Sequence, residues 1–347
     1  KRISILNSCS TSLNIGVTGS DNISKDGVCG RNQVPDKKGV CFFNLEGMPT
    51  SLESGESWET DLTSVDEDSD HIFSGSVYGV FPDAMAEACP GSGCNPWTGV
   101  SGAITRVEFT LSKHGTDYYD VSIIEGANVP VSMYPVGVDI INAEFGGTDR
   151  TYRNGVAGKC PWEFAPGPGL EKYVTVVKNK PSESNYSESK TCESSADCSK
   201  DQVCGVSFGT SPPTYGICGK FSGYASASLS CSAGATGPPF FCENHRDVIK
   251  CRGGYNLSGY NQPPGMTVCG CPDWERMGID AKPVAPCQTT DPNWDKNSLP
   301  FLAFLKSGCP TAYSYPYDDF TSTYMSKDSV SYVIEFCPGE SEESFYK

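Results

Sequence analysis

Thr105-Arg-Val-Glu-Phe-Thr-Leu111 and, after the short connection Ser112-Lys-His-Gly-Thr116, Asp117-Tyr-Tyr-Asp-Val-Ser-Ile-Ile124 decide the fold. Apolar and polar residues alternate along both segments with a period of two, the pattern of a half-buried strand rather than a helix. Gly, Asn and Asp bound these runs, as they bound the strands of antiparallel sheets.

The same alternation recurs outward in both directions, in Ile3-Ser-Ile-Leu6, in Ile72-Phe-Ser-Gly-Ser-Val-Tyr78 and in Ser331-Tyr-Val-Ile-Glu-Phe-Cys337. With 37 Gly and 25 Pro in 347 residues, turns outnumber long helices. The expected fold is mainly β, an antiparallel sandwich or barrel. A second regime runs from Cys160 to Cys309, where 12 of the 18 cysteines sit among Gly, Pro and Ser with few periodic runs. The expected division is therefore a β-sandwich from residues 1–158 plus 310–347 and a disulfide-rich, loop-rich lobe from 159–309. One short helix is expected near 298–306, capped by Ser298, with Pro300 in its first turn and Gly308 beyond its end. The polar stretch 180–190 reads as an exposed linker. No fixed-period repeat is present.

An even set of cysteines at about 5% of the chain belongs in an oxidising compartment, so secretion is expected. The sequons at Asn22, Asn185 and Asn256 agree with that, as candidate glycosylation sites. The start, Lys1 to Ser20, has no apolar leader and reads as a mature N-terminus. A net charge of −16 disfavours nucleic acid and anionic membranes as partners, and no apolar run is long enough to span a bilayer.

Four segments together resemble the thaumatin-like family: Ile3 to Cys9; Glu108 to Leu111 followed by Asp117 to Pro130; Cys309-Pro-Thr-Ala-Tyr-Ser-Tyr-Pro-Tyr-Asp-Asp-Phe-Thr-Ser-Thr-Tyr324; and Tyr332 to Pro338. The resemblance implies a thaumatin-like antiparallel β-sandwich with a disulfide-rich second lobe. It also implies the bridges Cys9–Cys337 and Cys160–Cys309, a small closed loop Cys89–Cys94, and by remainder Cys29–Cys41. The ten cysteines from Cys192 to Cys287 stay open in connectivity. One family bridge is missing at both ends, with Ser326 at one position and no cysteine near Val138–Ile140 at the other. The long 192–287 region is closer in character to microbial or fungal relatives than to plant ones.

The resemblance further implies an acidic cleft between the lobes that binds β-1,3-glucan and, in some members, hydrolyses it weakly. By motif, its carboxylates are Glu108, Asp120, Glu125, Asp318 and Asp319, with Glu125 standing where the family usually has Asp. Two carboxyl groups suffice for glycoside hydrolysis, one as proton donor and one as nucleophile or base. Glu108 is expected as the acid and Asp120 as its partner. Tyr118, Tyr119, Tyr313, Tyr315, Tyr317 and Phe320 are candidates for stacking on sugar faces. The family's Trp-Gly-Arg-Thr segment here reads Tyr78-Gly-Val-Phe81, so its arginine is lost, and Arg106, on the strand face of Glu108, is the candidate replacement.

The acidic run Asp66-Glu-Asp-Ser-Asp70 lacks the spaced ligands of a calcium loop and reads as a solvated charge run. His71, His114 and His245 are scattered, Cys269-Gly-Cys271 reads as structural, and no metal or cofactor fingerprint is present. The functions left in competition are a secreted binder of β-1,3-glucan or another cell-wall polysaccharide, with or without endo-β-1,3-glucanase activity, and a non-enzymatic matrix or filament protein. A protein-binding inhibitor has no recognisable inhibitory loop. Oligomeric state is not encoded in any recognisable pattern.

Overall fold

In the computed structural model the alternating runs become two facing sheets. The structure describes residues 1–19, 33–35, 41–43, 48–62, 70–88, 103–138, 155–165, 167, 169–178, 190–209, 212–226, 229–230, 272–281, 299–315, 318–327 and 329–346. The strands are β1 (Arg2–Asn7), β2 (Leu13–Gly19), β3 (Gln33–Pro35), β4 (Cys41–Phe43), β5 (Ser51–Leu52), β6 (Ser57–Asp61), β7 (His71–Val80), β8 (Arg106–Ser112), β9 (Asp117–Ser122), β10 (Gly126–Ala127), β11 (Val131–Val136), β12 (Val174–Val177), β13 (Val203–Ser207), β14 (Thr214–Ala225), β15 (Tyr324–Ser326) and β16 (Ser331–Phe336). The helices are α1 (Met85–Ala88), α2 (Leu299–Gly308), α3 (Asp319–Ser322) and α4 (Ser341–Phe345).

One sheet runs β11-β16-β1-β6 and the other β15-β9-β8-β7-β2-β5. Their inward residues form one core, with Ile3, Ile5, Tyr332, Ile334 and Phe336 from the first and Val17, Val77, Val107, Leu111, Tyr119 and Val121 from the second. Tyr119 and Tyr332 meet edge to face across the layers, 5.5 Å between centroids. The sandwich is not wholly antiparallel: β1 and β16 pair in parallel, Ile3 against Tyr332 and Asn7 against Phe336. Residues so far apart in sequence need no hairpin between them. Cys9 and Cys337, each just past its strand, form a disulfide at the shared end of the pair.

Residues 159–309 carry more regular structure than their composition suggests. A third sheet, β10-β14-β12-β13, is built on the twelve-residue β14. Gly223 of β14 has φ +134°, and a Cβ there would lie 2.3 Å from the Ala127 carbonyl of β10, so only glycine allows the contact that joins this sheet to the sandwich chain. Cys192–Cys204 ties β13, and Cys198–Cys218 ties β14, to the segment 192–198, and Cys160 is joined to Cys309 just past the end of α2. Helix α2 buries Phe301, Leu302, Phe304 and Leu305. Gly308 is its last residue rather than a residue beyond it, and is placed there by the Phe164 ring, which a Cβ would meet at 2.3 Å. The expected Cys29–Cys41 and Cys89–Cys94 bridges, the three sequons and most of the 180–190 linker lie outside the described residues. No helix among the described residues is long and apolar enough to cross a membrane.

Candidate functional site

The register of β7, β8 and β9 builds the site. Glu108 of β8 stands directly opposite Asp120 of β9 and, on its other side, opposite Ser76 of β7. Val107, Phe109, Tyr119 and Val121 point into the core, so Arg106, Glu108, Asp120 and Tyr118 share the other face. Beyond β9 the chain at Tyr313 continues this row. The Ile123 N–H donates to the Tyr313 carbonyl (2.9 Å) and the Tyr313 N–H to the Val121 carbonyl (2.8 Å). The Tyr313 hydroxyl donates to Asp319 Oδ1 at 3.1 Å and also pairs with Thr323 Oγ1. Glu108, Asp120 and Asp319 thus form one carboxylate row, with Glu125 close enough to act on Glu108.

The surroundings separate the two central carboxyl groups. Burial pushes Asp120 well above the usual carboxylate range, and the anionic Glu108 and Asp319 push the same way. Its Oδ1 is buried and has no hydrogen-bond partner among the described residues. Glu108 is also raised by burial, but the Arg106 guanidinium and a hydrogen bond from Ser122 oppose the shift. Both carboxyls of this coupled pair are raised by burial, with a cation and a donor acting on Glu108 and two anions acting on Asp120.

Arg106 lies 5.3 Å from the centre of the Tyr78 ring, a cation–π distance. Burial pushes the Tyr78 phenol up to about 12, with Arg106 pulling it back. Val80, where the family arginine would stand, is 2% exposed and packs with Tyr78, Ala84, Ala88 and Ile104. Arg106 is thus a cation that acts on Glu108. Tyr118 is 45% exposed and opposite Thr110 on one side and Met325 on the other, open for stacking at one end of the row.

Three expected ligand groups belong elsewhere. Asp318 is buried and accepts from Lys306 Nζ (2.8 Å), Trp274 Nε1 (3.1 Å), Ser314 N–H and hydroxyl (both 3.0 Å) and Thr321 (2.8 Å), which leaves it committed to the interior. Tyr315 is buried edge-on against Trp274. Tyr119 faces the core, where its hydroxyl donates to the Gly155 carbonyl at 2.7 Å. Tyr317 and the Phe320 side chain lie outside the described residues.

Lys306 is the residue that sequence reasoning missed. The signal was present: it falls four residues after Leu302, on the buried stripe of α2. Asp70, the end of the acidic run, accepts from the His114 N–H (2.7 Å) and so braces the β8–β9 turn.

Comparisons with known proteins agree with this architecture. The Thaumatin family profile matches residues 73–236 and 281–338, more than half of the chain. PR5-like receptor kinase of Arabidopsis thaliana is 25% identical over 253 residues, which is 73% of this chain and 23% of that protein. Thaumatin-like protein 1 of Prunus persica is 25% identical over 252 residues, 72% of this chain and 59% of that protein. Thaumatin-like protein 1 of Castanea sativa is 58% identical over 38 residues, 11% of this chain and 16% of its own length. The chain thus spans less than two thirds of each of these relatives. The strands, the end-to-end disulfide and the profile match converge: the chain belongs to the thaumatin family.

Proposed function

We propose that this protein is a secreted, defence- or wall-associated binder of β-1,3-glucan, which it holds along the Glu108–Asp120–Asp319 row. The observation that carries the reading is the direct cross-strand opposition of Glu108 and Asp120, one beside a cation and the other among anions. Directly opposed residues have Cβ atoms about 4.5–5.5 Å apart. That spacing favours the short carboxyl separation of about 5–5.5 Å used in retaining glycoside hydrolysis over the wider inverting one.

In this reading Asp120, as the neutral acid, donates its proton to the glycosidic oxygen as the bond to the anomeric carbon breaks. The Glu108 carboxylate attacks that carbon from the other side. Water then displaces Glu108 and returns a proton to Asp120. Tyr118 supplies a stacking surface for a neighbouring sugar. Secretion rests on the disulfide framework, and the defence association on the family.

A binder without turnover is the second reading, favoured by Val80 in place of the family arginine. Laminarin pulldown with reducing-end assay separates the two. Binding with product release that Glu108→Gln and Asp120→Asn both abolish supports hydrolysis. Binding by the unaltered protein without release supports the lectin-like role. Absence of laminarin binding overturns both and leaves the scaffold as a matrix or filament protein.

A further inference from the structure

Lys306 is sealed in the protein interior. The Lys306 side chain has 0% exposure, and the three N–H groups of its Nζ are shared among four acceptors, the Ala312 carbonyl (2.9 Å), Asp318 Oδ2 (2.8 Å), Thr321 Oγ1 (2.5 Å) and Ser322 Oγ (2.9 Å). It also lies 5.8 Å from the centre of the Trp274 ring. Its acceptors come from one short stretch of chain, residues 312–322, and they include both ends of it. Within that stretch lie Tyr313, which runs along β9, and Asp319, to which the Tyr313 hydroxyl donates. Asp318 gathers the same stretch from inside through Ser314 and Thr321. A buried ion pair contributes little net stability compared with apolar side chains of similar volume, and its better-attested use is to specify one geometry.

We propose that Lys306 is a positioning residue: by clamping both ends of residues 312–322 through Asp318, Ala312, Thr321 and Ser322, it holds the Asp319 carboxylate at the end of the Glu108–Asp120 row. The charged and titratable groups acting on that row are Glu108 and Arg106 from β8, Glu125 from the turn after β9, and Asp319 and Tyr313 from the clamped segment. Of these, only the last two depend on Lys306. Releasing them removes an anion from beside Asp120 and leaves the β8 groups in place. The consequence for glucan binding rests on the function proposed above, whereas the consequence for the carboxyl pair does not.

The test is a carbon-13 NMR titration of the Asp120 carboxyl in the full chain, compared with Lys306→Met and Tyr313→Phe, with near-ultraviolet circular dichroism to verify folding. The expected result is a lower Asp120 midpoint in both variants. Laminarin association is expected to weaken about tenfold in Lys306→Met, within the usual range of coupling between sites. Two folded variants with an unchanged midpoint overturn the proposal. If Lys306→Met does not fold, Tyr313→Phe and Thr321→Val decide it by the same midpoint. A lowered midpoint in a protein that binds no laminarin upholds the positioning role and overturns the glucan reading.

Discussion

Lys306 and Asp318 form a pair whose energetics can be worked from its contacts. Lys306→Met deletes the ammonium and keeps much of the apolar stem. Asp318 Oδ2 then keeps the Ser314 N–H and hydroxyl, and Oδ1 keeps Trp274 and Thr321, but the anion has lost its cation in a site with almost no exposure. Breaking a buried pair from one side costs about 3–5 kcal/mol. Because four neutral donors remain on Asp318, the lower part of that range, about 3–4 kcal/mol, is expected. Asp318→Asn is milder, about 2–3 kcal/mol, since burial already pulls the Lys306 ammonium below its ordinary value and it can shed its proton. The double variant buries no charge, so its cost stays near that of the worse single change and the coupling is about 2–3 kcal/mol. Urea denaturation at neutral pH, with an unchanged m-value, measures all three. Additive costs, or a Lys306→Met loss under about 1 kcal/mol, would show that Lys306 and Asp318 are not an energetically coupled pair.

Three further outcomes are expected. Asp120 binds its proton more tightly in the folded chain than in the unfolded one, so stability falls as pH rises from the ordinary carboxylate range through the raised folded midpoint; Asp120→Asn should flatten that slope in melts between acid and neutral pH, and an unchanged slope would count against the buried pair. Replacing both Cys9 and Cys337 by Ser should cost about 3–5 kcal/mol, because the bridge closes a sequence separation of 328 while β1 and β16 still pair without it; a loss below about 1 kcal/mol in denaturant would place its effect outside the unfolded chain. Gly308→Ala should cost about 1–3 kcal/mol by driving a methyl into the Phe164 ring, and a neutral melt would show that the ring gives way freely.

Much of the fold was legible because alternation reports a face directly. Val107, Phe109 and Leu111 had to share one side of β8, and Arg106, Glu108 and Thr110 the other. What alternation cannot report is which strand lies alongside, so the parallel β1–β16 pair was hidden between residues at opposite ends of the chain. The third sheet was hidden for another reason: Gly219 and Gly223 interrupt the pattern of β14, where neighbouring backbone takes the space of side chains. In the site, Glu108 and Asp120 were legible by motif, and the register then set them opposite each other. Asp318 and Asp319 look equivalent in sequence, yet one turns inward to Lys306 and the other meets the Tyr313 hydroxyl. A cation twelve residues earlier in the chain, together with Trp274, Ser314 and Thr321, tells them apart.

Under the proposed function, glucan binds at the Glu108–Asp120 pair. Titration of a soluble β-1,3-gluco-oligosaccharide into protein with carbon-13 carboxyl labels tests it most directly. Saturable shifts of the Glu108 and Asp120 carboxyl signals are expected, with smaller changes at Asp319 and none at buried Asp318. Saturable binding that leaves Glu108 and Asp120 unmoved, or no binding at all, would contradict it.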